Sequence, residues 1–275
     1  MMGSILRGSR PWIAAVLGIV LLACTQVPIT GRESLQLVPN NQLMSLAVQQ
    51  YDQTLKNSKL STDAEKSAMV KNVGMRIAAA AENYLREVGQ PDKAEGFEWE
   101  FNLIEDDKTA NAWVLPGGKA AVYTGILKHT QDENGLAVVM GHEVAHALAN
   151  HGNERMSQGL LAQLGGVALA VAVSQKPAQT QQLFMSAYGV GASVGLLLPY
   201  SRLHESEADH IGLILMAKAG YDPRAAVPFW QRMNEEKGSR PPEFLSTHPE
   251  PETRMAKIEE HLPEALAYYE RAKPK

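Results

Sequence analysis

The amino-acid sequence predicts an α+β fold that is mostly helical and contains one small three-stranded sheet. Apolar residues recur with helical spacing over residues 41–88, and again from residue 131 almost to the end of the chain. Between these regions the apolar period changes to two, and a Pro-Gly-Gly turn follows. Because the strands are grouped and do not alternate with helices, this pattern favours an α+β fold over a parallel α/β sheet.

Residues 1–23 have the composition of an export signal, with Arg7 and Arg10 ahead of a short apolar run. The run is shorter than a membrane-spanning helix and ends in LLAC, which resembles the lipobox of bacterial lipoproteins. Cys24 is the single cysteine, so it has no disulfide partner within the chain. We expect Cys24 to be acylated and to tether the protein to a membrane. An ordinary signal peptide followed by a free thiol is the alternative.

Residues 24–40 mix proline, glycine and polar side chains, and we expect them to form a tether ahead of a single domain over 41–275. Helical stripes at 43–55 and 69–80 begin this domain, with a capping sequence, STDAE, between them.

The strands of the predicted sheet lie next along the chain. Apolar and polar residues alternate in FEWEFNLI (97–104), which is typical of a half-buried strand. Two short apolar runs flank the Pro-Gly-Gly turn in NAWVLPGGKAAVYTG (111–125), and this pattern predicts a hairpin.

Two apolar, glycine-rich stretches, 159–175 and 184–200, are separated by a mainly polar segment. Each is shorter than the length needed to cross a bilayer. A pair of core helices that gate a site is one interpretation, and a hairpin that dips into a membrane is the other.

The composition argues against a nucleic-acid partner. The formal charge is −4 at pH 7, and no stretch is dense in lysine and arginine. A nucleic-acid interface needs such a basic surface.

The stretch VVMGHEVAHALANHG (138–152) contains candidate metal ligands and a candidate catalytic base. His142 and His146 are four residues apart, so on a helix both imidazoles share a face and can bind one ion. Glu143 lies about 100° around the helix, where its carboxylate reaches a water on the metal instead of the metal itself. Two unrelated histidines on an amphipathic helix are the alternative, so the pattern needs a third ligand.

The third ligand is expected in SRLHESEADHIG, downstream. Glu205 and Asp209 are four residues apart, which gives one metal ligand and one carboxylate that can accept the free N–H of a ligand histidine. Glu207 as the ligand would leave Asp209 without that role. We expect His151, His204 and His210 to be polar residues near helix ends, with His151 at the surface.

Three motifs in order, HExxH at 142–146, SRLHESEAD at 201–209 and STHPEPETR at 246–254, resemble the HtpX-like and CAAX-prenyl-protease-like zinc metallopeptidases. The resemblance is strongest to their periplasmic lipoprotein branch, the LoiP- and BepA-like proteins. It implies a gluzincin-type fold, with the small sheet beside the active-site helix. It also implies one Zn²⁺ per chain on His142, His146 and Glu205, with Glu143 as the catalytic base.

The resemblance implies further roles outside the metal ligands. Asn111 and Ala112 would belong to an edge strand that binds the substrate backbone. His248 would face the active site and stabilise an oxyanion, and Arg254 would brace the loop that carries it. An ordinary hairpin and a packing histidine are the alternatives.

The expected function is therefore that of an endopeptidase of the bacterial cell envelope, anchored through Cys24 on the periplasmic face of the outer membrane. Its expected substrates are unfolded or misassembled envelope proteins. We expect neither the helical-repeat domain of BepA nor multiple membrane helices in this chain. Two rivals remain open: a self-inhibited metalloprotein that acts as a chaperone or scaffold, and a hydrolase of lipid or cell-wall bonds.

Overall fold

The computed structural model describes residues 24–164, 177–188, 201–235, 242–248 and 253–273. The expected signal peptide lies outside the described residues. The strands are β1 (Cys24–Gln26), β2 (Glu33–Leu35), β3 (Glu100–Ile104), β4 (Ala112–Leu115) and β5 (Lys119–Tyr123). The helices are α1 (Asn40–Asn57), α2 (Ala64–Glu87), α3 (Leu127–Thr130), α4 (Glu133–Leu148), α5 (His151–Leu164), α6 (Pro177–Tyr188), α7 (Arg202–Lys218), α8 (Ala226–Glu235), α9 (Glu243–Thr247) and α10 (Arg254–Ala272).

The three-stranded sheet has the order β3-β5-β4. β4 and β5 form the expected hairpin, and β3 pairs with β5 in the parallel sense. The turn of the hairpin needs glycine, since Gly117 and Gly118 have φ angles of 81° and 86°. Helices surround this small sheet, which confirms the predicted α+β class.

The N-terminal hairpin, which we define as residues 24–38, corrects the expectation of a tether. β1 and β2 pair in the antiparallel sense, and Val27 and Val38 are buried in the domain. Arg32 forms ion pairs of 2.8 Å with Glu154 and with Glu207. The proline and glycine of this segment belong to a turn, so the same composition that suggested a flexible linker here builds a folded hairpin.

The central helices α4 and α7 approach each other at the level of their backbones. Both begin at a side-chain cap, because Asp132 accepts the N–H of Gly135 and Ser201 accepts the N–H of His204. A Cβ atom on Gly141 would lie only 2.7 Å from the carbonyl oxygen of Gly212. The two glycines therefore allow a helix separation that any other pair of residues would prevent.

The end of α4 is set by the backbone at Asn150. The helix ends at Leu148, and Asn150 adopts a left-handed conformation with φ of 58°. Asparagine tolerates this conformation better than most residues. A new helix, α5, begins at His151, and Gly152 lies within it against the ring of Tyr188 on α6.

The apolar stretches 159–175 and 184–200 lie largely outside the described residues. In α6, which contains the described residues of the second stretch, Leu183, Phe184 and Ala187 are buried, and this helix contacts α5. Among the residues that the structure describes, no helix combines the length and apolarity needed to cross a bilayer. For residues 165–176 and 189–200, which lie outside the described residues, core helices and a membrane hairpin both stay predictions.

Gly141→Ala is expected to force α4 and α7 apart, because the new methyl group has no space against Gly212. The expected cost is about 1–3 kcal/mol of the free energy of unfolding, or roughly 2–4 °C of melting temperature per kcal/mol. Thermal melts followed by circular dichroism measure the effect. Asn72→Gln, which adds one methylene on the exposed face of α2, is the control. An unchanged melting temperature in Gly141→Ala would contradict the close packing.

Candidate metal centre

Four buried side chains from three parts of the chain converge on one point. His142 and His146 lie one turn apart on α4, Glu205 lies in the first turn of α7, and His248 follows α9. Each residue offers one ligand atom, and these atoms all lie within 4.8 Å of one another. The structure therefore brings together the three expected ligands and adds His248 to them.

The distances between these ligand atoms fit a tetrahedral metal ion. Zinc bonds of 2.0–2.1 Å in a tetrahedron imply ligand–ligand distances of about 3.3–3.4 Å. From His142 Nε2, the distances are 3.0 Å to His146 Nε2, 3.2 Å to His248 Nδ1 and 3.4 Å to Glu205 Oε2. The other oxygen of this carboxylate, Glu205 Oε1, lies 3.1 Å from His248 Nδ1 and 3.5 Å from His146 Nε2.

The donor set also fits zinc chemically. Three imidazole nitrogens face one another, and a neutral imidazole offers a lone pair at the nitrogen that carries no proton. Lone pairs that face each other in a buried space repel unless a cation lies between them. Imidazole nitrogen and carboxylate oxygen are both common zinc ligands, so the residues fit this ion.

His142 is oriented by a carboxylate on α7. Its Nδ1 lies 2.9 Å from Asp209 Oδ1, so a proton on Nδ1 leaves the lone pair of Nε2 for a metal. Arg254 donates two hydrogen bonds of 2.7 Å to Asp209, and its guanidinium stacks on Trp230. Arg254 also lies 3.2 Å from Glu205 Oε2. Arg254 therefore pairs with the carboxylates of the site, and its bracing of the His248 loop stays a prediction.

His151 is buried, and the expectation that it lies at the surface is wrong. Its Nδ1 lies 2.8 Å from Nδ1 of His146, and its Nε2 lies 2.9 Å from Glu207 Oε2. Burial lowers the pKa of His151 to about 4, so the ring is neutral at pH 7. The break at Asn150 turns the chain and brings His151 back to the site, which helical periodicity alone does not reveal.

His204 and His210, which follow the cap of α7, have different surroundings. His204 lies in the first turn of α7, as expected, but it is buried and lies 3.1 Å from Glu154 Oε2. His210 is partly exposed and lies 2.7 Å from Glu264 Oε2 on α10.

Glu143 lies beside the four ligand atoms and outside their cluster. Its carboxyl group is buried, with Oε1 at 3.3 Å from His248 Nε2. Burial raises the pKa of Glu143 to about 8. A carboxyl group with a pKa near neutrality can both accept and release a proton at physiological pH.

The expected substrate strand is partly covered in this structure. Ala112 begins β4, which is an edge strand of the sheet, and Asn111 precedes it in a buried position. The N–H of Phe244 donates a hydrogen bond of 3.0 Å to the carbonyl oxygen of Ala110. The amide of Asn111 lies 3.4 Å from Glu243 Oε1. The α9 segment therefore lies against the N-terminal side of this strand and carries His248 into the ligand cluster.

Comparisons with known proteins identify the family. The sequence model of peptidase family M48 matches residues 70–262. The mitochondrial metalloendopeptidase OMA1 of Schizosaccharomyces pombe is 44% identical over 169 residues, which are 61% of this chain and 48% of that protein. Human mitochondrial metalloendopeptidase OMA1 is 33% identical over 248 residues, 87% of this chain and 46% of that protein. The beta-barrel assembly-enhancing protease of Yersinia pestis is 31% identical over 161 residues, 57% of this chain and 33% of that protein.

The chain belongs to peptidase family M48, because the family match covers more than half of it and includes His142, His146 and Glu205. The resemblance expected from the three motifs is thereby confirmed at the level of the family. The chain spans about half the length of the OMA1 relatives and a smaller share of the bacterial one.

Zinc binding is expected to tighten as the pH rises. Burial alone would lower the pKa of His142, but its hydrogen bonds to Asp209 and Glu205 raise it to about 9. Zinc must displace the proton that His142 holds below this pKa, so the apparent affinity rises by about tenfold per pH unit over pH 6.5–8.5. The apparent zinc affinity is measured by competition with a chromophoric chelator whose own zinc affinity is known at each pH.

Asp209→Asn is the matched variant for this titration, since it removes the carboxylate that raises the pKa of His142. The pH-dependent region should move to lower pH in this variant. A zinc affinity of the wild-type protein that does not change with pH would contradict the assignment of His142 as a zinc ligand.

Proposed function

We propose that the protein is a zinc-dependent endopeptidase in which His142, His146 and Glu205 hold the metal. The observation that carries the proposal is the convergence of these three buried ligands beside Glu143, whose carboxyl group lies in the same site without joining the cluster. Two histidines and a glutamate are a donor set typical of catalytic zinc. Membership of a peptidase family and the metalloendopeptidase relatives support the same reaction.

The catalytic roles follow from what each side chain contacts. Zinc, when bound, lowers the pKa of water and polarises a carbonyl group. Glu143 accepts a proton from the attacking water and passes it to the leaving amine, a transfer that its raised pKa favours. Asp209 holds the proton on Nδ1 of His142. His248, once it has left the ligand cluster, donates a hydrogen bond to the developing oxyanion.

An extended peptide is the proposed form of the substrate. β4 is an edge strand close to α4, so a peptide can add to the sheet beside the metal ligands. Asn111 and Ala112, at the start of this strand, would bind its backbone. Backbone recognition depends little on sequence, which suits unfolded or misassembled proteins as substrates.

We propose the bacterial cell envelope as the location, with Cys24 lipidated on the periplasmic face of the outer membrane. The basic, apolar and LLAC segments of the first 24 residues support this location. The name of the Yersinia pestis relative, a beta-barrel assembly-enhancing protease, is consistent with it. The mitochondrial metalloendopeptidase relatives support the peptidase reaction and do not bear on this location.

A self-inhibited state is the second candidate, and the position of His248 favours it. The Nδ1 atom of His248 lies where a fourth metal ligand would be, which is the position that a catalytic site leaves to water or substrate. The hydrogen bond from Phe244 to Ala110 holds the same segment against the substrate strand. Release of the α9 segment would then free both the metal and the strand.

Glu143→Gln is expected to retain zinc and to lose casein cleavage by about 10²–10⁴-fold, because the amide cannot accept the water proton. His146→Ala is expected to lose both zinc and cleavage. Zinc content by atomic absorption and release of labelled casein fragments measure the two effects. Glu98→Gln, at an exposed position in the same protein, is the control.

Cleavage that survives a chelator, or equal activity in Glu143→Gln, would contradict the proposed reaction. Parallel assays with peptidoglycan and phospholipids test for cleavage of cell-wall or lipid bonds.

His248→Ala separates the two states of the enzyme. Self-inhibition predicts faster casein cleavage and weaker zinc binding in this variant, since a fourth ligand is lost. A slower variant with unchanged zinc affinity would support the oxyanion role alone. Glu98→Gln, at an exposed position outside both groups of candidate ligands, is again the control.

A further inference from the structure

We infer that Arg32 of the N-terminal hairpin is a positioning residue of the metal centre and acts on the ligand His146 through Glu207 and His151. The inference rests on the proposed metal site and adds to it a segment remote in sequence. It follows from a continuous chain of hydrogen bonds that runs from the hairpin to the ligand, partly buried at Arg32 and buried from His151 to His146.

The chain begins at the side of His146 that faces away from the ligand cluster. For Nε2 of His146 to bind a metal, its lone pair must be free, so the ring proton lies on Nδ1. That nitrogen is 2.8 Å from Nδ1 of His151, which therefore accepts the proton in a hydrogen bond. Because Nδ1 of His151 accepts this hydrogen bond, the ring proton of His151 lies on Nε2.

Glu207 receives that second proton. Its Oε2 lies 2.9 Å from Nε2 of His151, so the carboxylate fixes which nitrogen of His151 carries hydrogen. This choice in turn fixes the tautomer of His146. A carboxylate that acts through one intervening histidine thus does for His146 what Asp209 does directly for His142.

Arg32 holds Glu207 in place. The Nε of Arg32 donates a hydrogen bond of 2.8 Å to Glu207 Oε2, and the hydroxyl of Thr30 donates to Glu207 Oε1. The remaining nitrogens of Arg32 donate to both oxygens of Glu154, at 3.0 and 2.8 Å. The fork of the guanidinium therefore joins two carboxylates and sets their relative orientation.

The two ligand histidines thus have equivalent supports from opposite ends of the chain. Arg254 of α10 holds Asp209 for His142, and Arg32 holds Glu207 for His146. Both carboxylates lie on α7. Glu205, a metal ligand itself, lies on the same helix.

This arrangement joins the proposed membrane anchor to the metal. Cys24 pairs with Leu35 across the hairpin that carries Arg32 and Thr30. Displacement of the hairpin would remove two of the three groups that hold Glu207 and would loosen His146. The expected consequence is weaker zinc binding.

Zinc dissociation constants of the full-length protein test the inference, measured by competition with a chromophoric chelator. His151→Phe keeps the ring volume and removes both nitrogens, so zinc binding should weaken by about 10–100-fold. Arg32→Ala should also weaken zinc binding, by a smaller factor than His151→Phe. Because Arg32 acts through His151, the double variant should bind zinc no more weakly than His151→Phe alone. Arg224→Ala, which breaks an exposed ion pair with Asp222, should change nothing.

The absorption bands of Co²⁺ in the zinc site give a readout that a loss of stability alone would not change. They should shift in His151→Phe and in Arg32→Ala. If Arg32→Ala does not fold, Thr30→Val replaces it in the comparison of single and double variants with His151→Phe. This variant removes the hydroxyl group of Thr30 that donates to Glu207.

Wild-type protein that binds no zinc would overturn the proposed function. Wild-type protein that binds zinc, with Arg32→Ala or Thr30→Val of equal affinity, would overturn this inference alone. Additive losses in the double variant would also overturn it, since they would show that the hairpin does not act through His151.

Discussion

The contact between the backbones of α4 and α7 at Gly141 and Gly212 sets the dimensions of the metal centre. His142 follows Gly141 directly, and Glu205 lies two turns before Gly212 on the facing helix. With larger residues at the crossing, the carboxylate of Glu205 would move away from the imidazoles. The ligand distances of 3.0–3.5 Å therefore depend on two residues that have no side chain to contribute to the chemistry.

The same close approach of α4 and α7 places charged side chains in the interior of the protein. It buries three carboxylates of α7, those of Glu205, Glu207 and Asp209, among histidine rings. Buried charges are tolerated only when they are paired and hydrogen-bonded. Arg254 and Arg32 supply the pairing from the two ends of the chain. The domain thus closes around the site from both sides, and the N-terminal hairpin is part of that closure.

Local sequence spacing predicted the parts of the site that lie within one helix. The four-residue intervals between His142 and His146, and between Glu205 and Asp209, place each pair on one helix face whatever surrounds it. The sheet followed in the same way from a period of two and one glycine turn. These features depend on residues that are neighbours in the chain, so composition and spacing were sufficient to predict them.

The contacts that sequence reasoning missed join residues far apart in the chain. Arg32 binds Glu154 and Glu207 across separations of 122 and 175 residues, and nothing near Arg32 indicates either partner. His151 was misplaced because a single left-handed residue, Asn150, ends one helix and starts another. His248 was expected to face the site, but its position at ligand distance depends on how α9 packs against Ala110.

A crystal structure of the zinc-loaded protein, with anomalous data at the zinc edge, would locate the metal. One strong anomalous peak is expected between His142, His146 and Glu205, with only nitrogen and oxygen ligands. A zinc ion bound instead at the partly exposed group of His210, His261 and Glu264, with no peak between α4 and α7, would contradict it.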